Sequence, residues 1–431
     1  MLKSSPLYSV IFYILSLCII LACLFFLWKD KEKVFNLKAV FNIFYLLFFG
    51  VIPIFQFSER ASFFGGRTLL PLEYVTVTTI FFVIVISFNA IYNYLSKKKK
   101  KLKEDLDIKT ETSKIEINEY LLGSFLIGAL LIKGIFIYSG YVHFFQRGFF
   151  FEIQNKLLGA LANQVYILIS IIPLTVLLYV INGNIFIKNK FLITVLVLVA
   201  ITNAFPTAMS RANVATLYLP ILILWCRKYF SVKYFSVFLI GCFLIIFPML
   251  NKFREYQFTK KMNFFEGYFQ FNQGHYDNYY NFALTYFDVP ITYGKQLLGA
   301  FLFFVPRALW HNKPIGSGNY MANIERLTFG NVSQNFFGEG YINFGILGII
   351  LFVIIYAWLA YLIDEEGKMS WEKKSWKTVI YLQLVFLSFY LMRGDLISSF
   401  SLIVNYILAN GIIYIVVIFF NNRKRKINNA G

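Results

Sequence analysis

Residues 340–363 read GYINFGILGIILFVIIYAWLAYLI, a run without one charged side chain. As a helix it would extend about 36 Å at 1.5 Å per residue, enough to cross a hydrocarbon core of about 30 Å. The run is therefore read as a membrane span, and the rest of the chain repeats it. Comparable runs lie near 7–28, 37–57, 71–95, 119–139, 160–181, 191–206, 212–229, 235–250, 378–393 and 399–420, which makes about eleven spans. Composition agrees. Of 431 residues, 58% are hydrophobic, 20% aromatic and only 15% charged, whereas a soluble protein carries about a quarter charged. The expected fold is an all-α polytopic membrane protein, one integral domain over 1–431, whose first apolar run is a span and not a cleaved leader.

The formal charge of +19 would point to nucleic acid in a soluble protein. Here most of it is lysine in short loops, as the positive-inside rule requires, so no nucleic-acid partner is expected. The stretch KKKKKLKEDLDIKTETSKIE (97–116) reads as a solvated cytoplasmic loop. Alternation from it puts the loops bearing Lys29 to Lys38, Lys188 and Lys190, Arg227 to Lys233, Lys368 to Lys377 and the tail NNRKRK in the cytoplasm. The N-terminus is then outside, the C-terminus inside, and 251–339 is the one large external segment. Within it LLGAFLFFV (297–305) is too short to span and is expected to be re-entrant or interfacial. The four cysteines (Cys18, Cys23, Cys226 and Cys242) lie in apolar runs and read as small core residues.

Sorting the cations by side exposes an asymmetry. The cytoplasmic loops hold 22 Lys and 3 Arg, and the external half 8 Lys and 8 Arg. A coding bias toward lysine cannot produce that split. Arginine offers a planar fork of donors matched to phosphate oxygens, which lysine does not. An external site gripping phosphate or diphosphate would explain it, while arginines that snorkel or pair with acids account for part of the set, Arg60 and Arg67 among them. Three others have context. FPTAMSRANV (205–214) sets Arg211 at a helix N-terminus, which itself attracts anions. YLMRGDLISS (390–399) carries Arg393 and Asp395 in a tight turn between spans. FVPRALWHNKPIGSGN (304–319) carries Arg307 and Lys313 between two prolines.

NFFGEGYINFGILG (335–348) opens the run quoted first. Glu339 and Asn343, four residues apart, share a helix face, and the glycines permit close packing. Glu339 is a candidate by position, with an arginine salt bridge as the alternative reading. NKFREYQF (251–258), with Arg254, and NQGHYDNYYNF (272–282), with His275, mix aromatics with polar groups. That composition suits a sugar groove, and interfacial aromatic belts produce it too. The three histidines are too dispersed for a metal site by spacing, and no phosphate-loop or dinucleotide-binding pattern is present.

In combination, the VPR…KP turn, the GEGYINFGILG helix start and the late RGD turn, on about eleven spans, resemble the Wzy-type O-antigen and capsule repeat-unit polymerases. Arg307 and Gly318, ten residues between them, also match a pattern of that family. The resemblance implies a GT-C-like membrane glycosyltransferase of the bacterial plasma membrane that works on undecaprenyl-diphosphate-linked oligosaccharides, as donor and acceptor, at the outer face. It implies no cofactor and no metal, and it allows for a chain-length regulator as partner. Arg211, Arg307 and Arg393 would stabilise the leaving diphosphate. Glu339 would activate the acceptor. Arg254, Lys313, Arg326, Tyr341, Asn343, Asp395 and His275 would bind substrate. An O-antigen ligase and a flippase for the same lipid are the alternatives.

Overall fold

The structure is a computed structural model, and it describes residues 6–100, 115–140, 144, 156–246 and 271–428. The described residues are helical apart from one short parallel pair, Ile115–Glu116 beside Ile185–Phe186. The helices are α1 (Pro6–Lys29), α2 (Leu37–Tyr45), α3 (Ile52–Ser58), α4 (Pro71–Lys100), α5 (Glu119–Tyr138), α6 (Lys156–Asn182), α7 (Lys190–Asn203) and α8 (Arg211–Trp225). After them come α9 (Val232–Gly241), α10 (Asn278–Asp288), α11 (Lys295–Phe301), α12 (Ser317–Ile324), α13 (Phe336–Lys373), α14 (Lys377–Arg393) and α15 (Leu396–Asn428). A wider turn over Leu46–Val51 joins α2 to α3 in one span.

Eight stretches among the described residues are long and apolar enough to cross a membrane, so the chain is an all-helical multi-pass membrane protein. They coincide with eight of the runs expected from sequence, including 7–28, 340–363 and 399–420. The other three expected spans fall on shorter helices: α8 with 15 residues, α9 with 10, and α14 with 17.

Asparagine and serine set several helix starts by accepting the first free amides. Asn36 takes Ala39 N at 2.9 Å, Asn118 takes Tyr120 N at 3.0 Å, and Asn335 takes Phe337 N at 2.7 Å. The start of α2 has a second acceptor from far along the chain. Asp364 of α13 accepts Leu37 N at 2.8 Å, Lys38 N at 3.2 Å and Tyr92 Oη at 2.8 Å. Lys38, also buried, donates to Asp30 at 2.7 Å and to Asn93 at 2.8 Å.

Buried side chains gather in two cores. One joins α1, α2, α4, α10 and α13, and the other joins α5, α6, α7, α8 and α15. α14 is shared, giving Leu382, Val385 and Phe386 to the first and Val379 and Leu387 to the second. The bundle has a lysine end (Lys97, Lys188, Lys233, Lys373) and an arginine end, where α4 and α8 begin and α14 turns into α15.

α13 is not one straight helix. Phe344 and Gly345 leave helical geometry, with Gly345 at φ 64° and ψ −146°. The ring of Phe336 lies 4.9 Å from that of Phe352 and 5.6 Å from that of Tyr356. In a straight helix residues 336 and 352 would be about 24 Å apart. The limb 336–343 therefore doubles back along the long helix, with the reversal at the arginine end. A β-carbon at Gly348 would run into the Gly340 carbonyl, so glycine is required where the limbs touch.

The residues before this limb are drawn into the bundle with it. Every residue of α10 from Asn278 to Thr285 is buried. Phe282 packs on Phe81 of α4 at 4.5 Å, and Tyr279 hydrogen-bonds Thr78 at 2.8 Å. Within the described part of 251–339, α10 is thus sunk among the spans, and α11 covers the first residues of the stretch expected to be re-entrant.

Candidate anion-binding site

Arg211 reaches its place because α7 stops early. Ala204 leaves the helix, Pro206–Ala208 makes one tight turn, and Ser210 caps α8 by accepting Asn213 N at 3.2 Å. The guanidinium is thereby placed on the first residue of α8. Arg393 is the last residue of α14. Its carbonyl accepts Gln334 N at 3.1 Å and Asn278 Nδ2 at 3.4 Å. Its Nη2 donates to Gly274 O at 3.3 Å and lies 3.5 Å from the buried Asp277 Oδ1.

His275 lies on the loop that Arg393 touches, and the charge of Arg211 reaches it as well. It is 5% exposed, and burial first, then the positive fields of Arg393 and Arg211, pull its pKa down to about 3. The imidazole is neutral at neutral pH and sits beside two permanent cations. Asp277 fixes the loop that carries it: Oδ1 accepts Ser333 Oγ at 2.6 Å, and Oδ2 accepts Asn281 Nδ2 at 2.9 Å. The cluster is recessed. Asn335 bonds Met392 O at 3.4 Å, and 335 lies about 12 Å along the limb from its tip at 343. Two guanidiniums and a neutral imidazole in such a recess can grip an oxyanion, and an anion bound there would offset the two cations and raise the imidazole's affinity for a proton.

Glu339 has different company from that expected. Its Oε2 accepts Ser317 Oγ at 2.6 Å and its Oε1 accepts Leu396 N at 2.7 Å. The partners are a hydroxyl and the amide that opens α15, not an arginine. At 1% exposed, the carboxylate serves as a remote N-cap. Asp395 caps the same helix through Ser398 N at 2.8 Å and abuts Gly316. Asn343 holds the reversal together, donating to Glu339 O at 2.8 Å and accepting Leu297 N at 2.9 Å. The ring of Tyr341 packs on that of Tyr286 at 4.8 Å.

The proline-flanked turn is tied to itself. Arg307 donates to Lys313 O at 2.6 Å and Pro314 O at 3.0 Å, and Lys313 donates to Phe303 O at 2.6 Å and Val305 O at 2.8 Å. Burial, then the neighbouring Arg307, lowers the Lys313 pKa. Both cations hold the loop closed. Arg326 is exposed on a left-handed residue, φ 52°. Arg67 pairs with Glu73 at 2.7 Å and Asp288 at 2.6 Å, the acid pairing expected of it. Arg254 and the stretch 251–258 lie outside the described residues.

Asp277 is the member of the cluster that sequence reasoning passed over. Its signal was an acid two residues after His275 in an otherwise aromatic run, read for sugar contacts and not for a partner to arginine. Among the described residues no group of three His, Cys, Asp or Glu side chains could hold a metal ion. Comparisons with protein-family models, with curated proteins and with solved structures each find no match to this chain.

Proposed function

We propose that the chain is a lipid-linked oligosaccharide polymerase of the bacterial plasma membrane, with about eleven spans, a GT-C-like architecture and its arginine end outside. The observation that carries the reading is that Arg393 bonds Gly274 O and lies against Asp277 on the loop of the buried His275, in a recess at the end of the bundle where Arg211 opens α8 and its charge also reaches His275. In the proposed reaction an acceptor hydroxyl attacks the anomeric carbon of the donor glycan. The bond to the undecaprenyl diphosphate breaks, its electron pair goes to the departing diphosphate, and the hydroxyl proton goes to His275. The arginines stabilise the negative charge that develops on the leaving group. His275 takes the base role first given to Glu339, both of whose oxygens are engaged in holding α15.

The test is complementation of a deletion strain, read as glycan chain length at matched protein level. Arg211→Ala should abolish long chains, and Arg211→Lys should shorten them sharply, because a point charge loses the bidentate grip. Wild-type banding from Arg211→Ala would sink the reading. The deletion phenotype separates the rivals: single capped repeats fit a polymerase, unattached polymer a ligase, and absent surface glycan a flippase.

A further inference from the structure

Lys133 has no part in the site described above, yet it is a buried cation within a span. It lies on the span Glu119–Tyr138 and is 3% exposed. A buried ammonium in a membrane span is expensive unless an anion answers it. Its partners are all neutral. Nζ donates to Tyr166 Oη at 3.1 Å and, weakly, to Asn203 O at 3.5 Å, and it sits 4.5 Å from the centre of the Tyr166 ring. Among the described residues no carboxylate lies within ion-pair distance of it. An ammonium has three donors, and two are engaged.

A second, independent group beside it is also incomplete. Asn203 is 1% exposed, and its Nδ2 donates to Ile169 O at 3.1 Å. Its Oδ1 is buried with no donor in reach. A cation lacking an anion thus adjoins an acceptor lacking a donor. A phosphate head group that also carries an alcohol hydroxyl satisfies both at once.

The position lies toward the arginine end of the bundle. Lys133 lies five residues, about 8 Å, from the end of α5 at the arginine end. Ala204, next to Asn203, accepts Tyr218 Oη at 2.6 Å. Tyr218 is seven residues, about 10 Å, along α8 from Arg211. The terminus of α7 is therefore well below the level of Arg211, with Lys133 beside it.

We propose that Lys133 and Asn203 form an anion subsite that takes a phosphate group presented by a membrane lipid, with Lys133 as counter-ion and Asn203 Oδ1 as acceptor of a hydroxyl on the same head group. The site rests on its own geometry. Only the choice of undecaprenyl diphosphate as first probe rests on the polymerase reading. The phosphate comes either from a prenyl-linked diphosphate or from a bulk phospholipid head group, and the experiment separates these.

The full-length protein in nanodiscs is titrated with undecaprenyl diphosphate, and retained phosphatidylglycerol is counted by native mass spectrometry after gentle release. Lys133→Gln should weaken one of the two lipids at least about tenfold, and Lys133→Arg should stay within about threefold of wild type. Loss of undecaprenyl diphosphate alone identifies the prenyl lipid, and loss of phosphatidylglycerol alone identifies the bulk head group. Unchanged binding of both in Lys133→Gln overturns the proposal, and with a lowered melting temperature it leaves Lys133 only a cap on α7. If Lys133→Gln does not fold, the wild-type protein still decides. Added lipid should slow amide exchange around Asn203 at the end of α7, and unchanged exchange there with and without lipid overturns the subsite. Loss of diphosphate binding in Arg211→Ala, with both lipids still bound by Lys133→Gln, would keep the polymerase reading and discard this one. Loss of phosphatidylglycerol in Lys133→Gln, from a strain whose deletion leaves its glycan unchanged, would do the reverse.

Discussion

Asp277 has one carboxylate, and four donors turn toward it: Ser333 Oγ, Ser333 N, Asn281 Nδ2 and Arg393 Nη2. That network holds His275 two residues away in its buried place, and a titration follows from it. The folded chain keeps the imidazole neutral down to about pH 3, whereas an unfolded histidine gains its proton near pH 6.5. Between those values the unfolded state binds the additional proton. Stability contributed above about pH 6.5 is therefore lost as pH falls, by up to about 1.4 kcal/mol per unit. Melting of the purified protein should fall more steeply from about pH 7.5 to 5 in wild type than in His275→Gln. Parallel slopes would show that His275 is not the buried neutral group described. Residue by residue, the sequence showed Arg211 and Arg393 because each is tied to a helix end that local motifs announce. It did not show that Arg307 and Lys313 are consumed by carbonyls of their own loop, since that depends on how ten residues curl and not on their types.

The helix start 335–348 shows where pattern reading stops. Hydropathy and spacing treat Glu339 and Asn343 as the first turns of one span, and both do lie on one helical limb. Nothing in a 3.6-residue period distinguishes that limb from the helix that follows, so the reversal at Phe344–Gly345 is invisible to it. The glycines read as packing residues are that, with a sharper duty: Gly348 meets the Gly340 backbone across the fold. Gly348→Val should force the limbs apart and pull Glu339 from Leu396 N and Ser317, costing about 1–3 kcal/mol or more. Gly128→Ala, on α5 with open space around it, serves as the control and should shift stability by less than about 0.5 kcal/mol. Thermal melts of the two variants beside wild type make the comparison. Equal melting temperatures would mean that the limbs do not touch as described.

At the scale of the whole molecule, the long spans were legible because about 20 apolar residues have one economical fate in a bilayer. The packing of 271–335 among the spans was not, because its aromatic and amide side chains suit an external loop as well as a buried one, and only the partners on α4 and α14 decide between them. A consequence follows from the short helix α8. With 15 residues it measures roughly 22 Å, against a hydrocarbon core of about 30 Å. Where lipid meets it the bilayer is expected to thin, at a cost of fractions of a kcal/mol per Å of mismatch. Under the proposed function, lipid head groups would then dip toward Arg211, bringing phosphate to the recess without any movement of the protein. Reconstitution in a series of increasingly long-chain lecithins should lower lipid-diphosphate binding and melting temperature together, and a flat response across the series would count against it. The mismatch makes membrane thickness itself a regulator of access to the arginines.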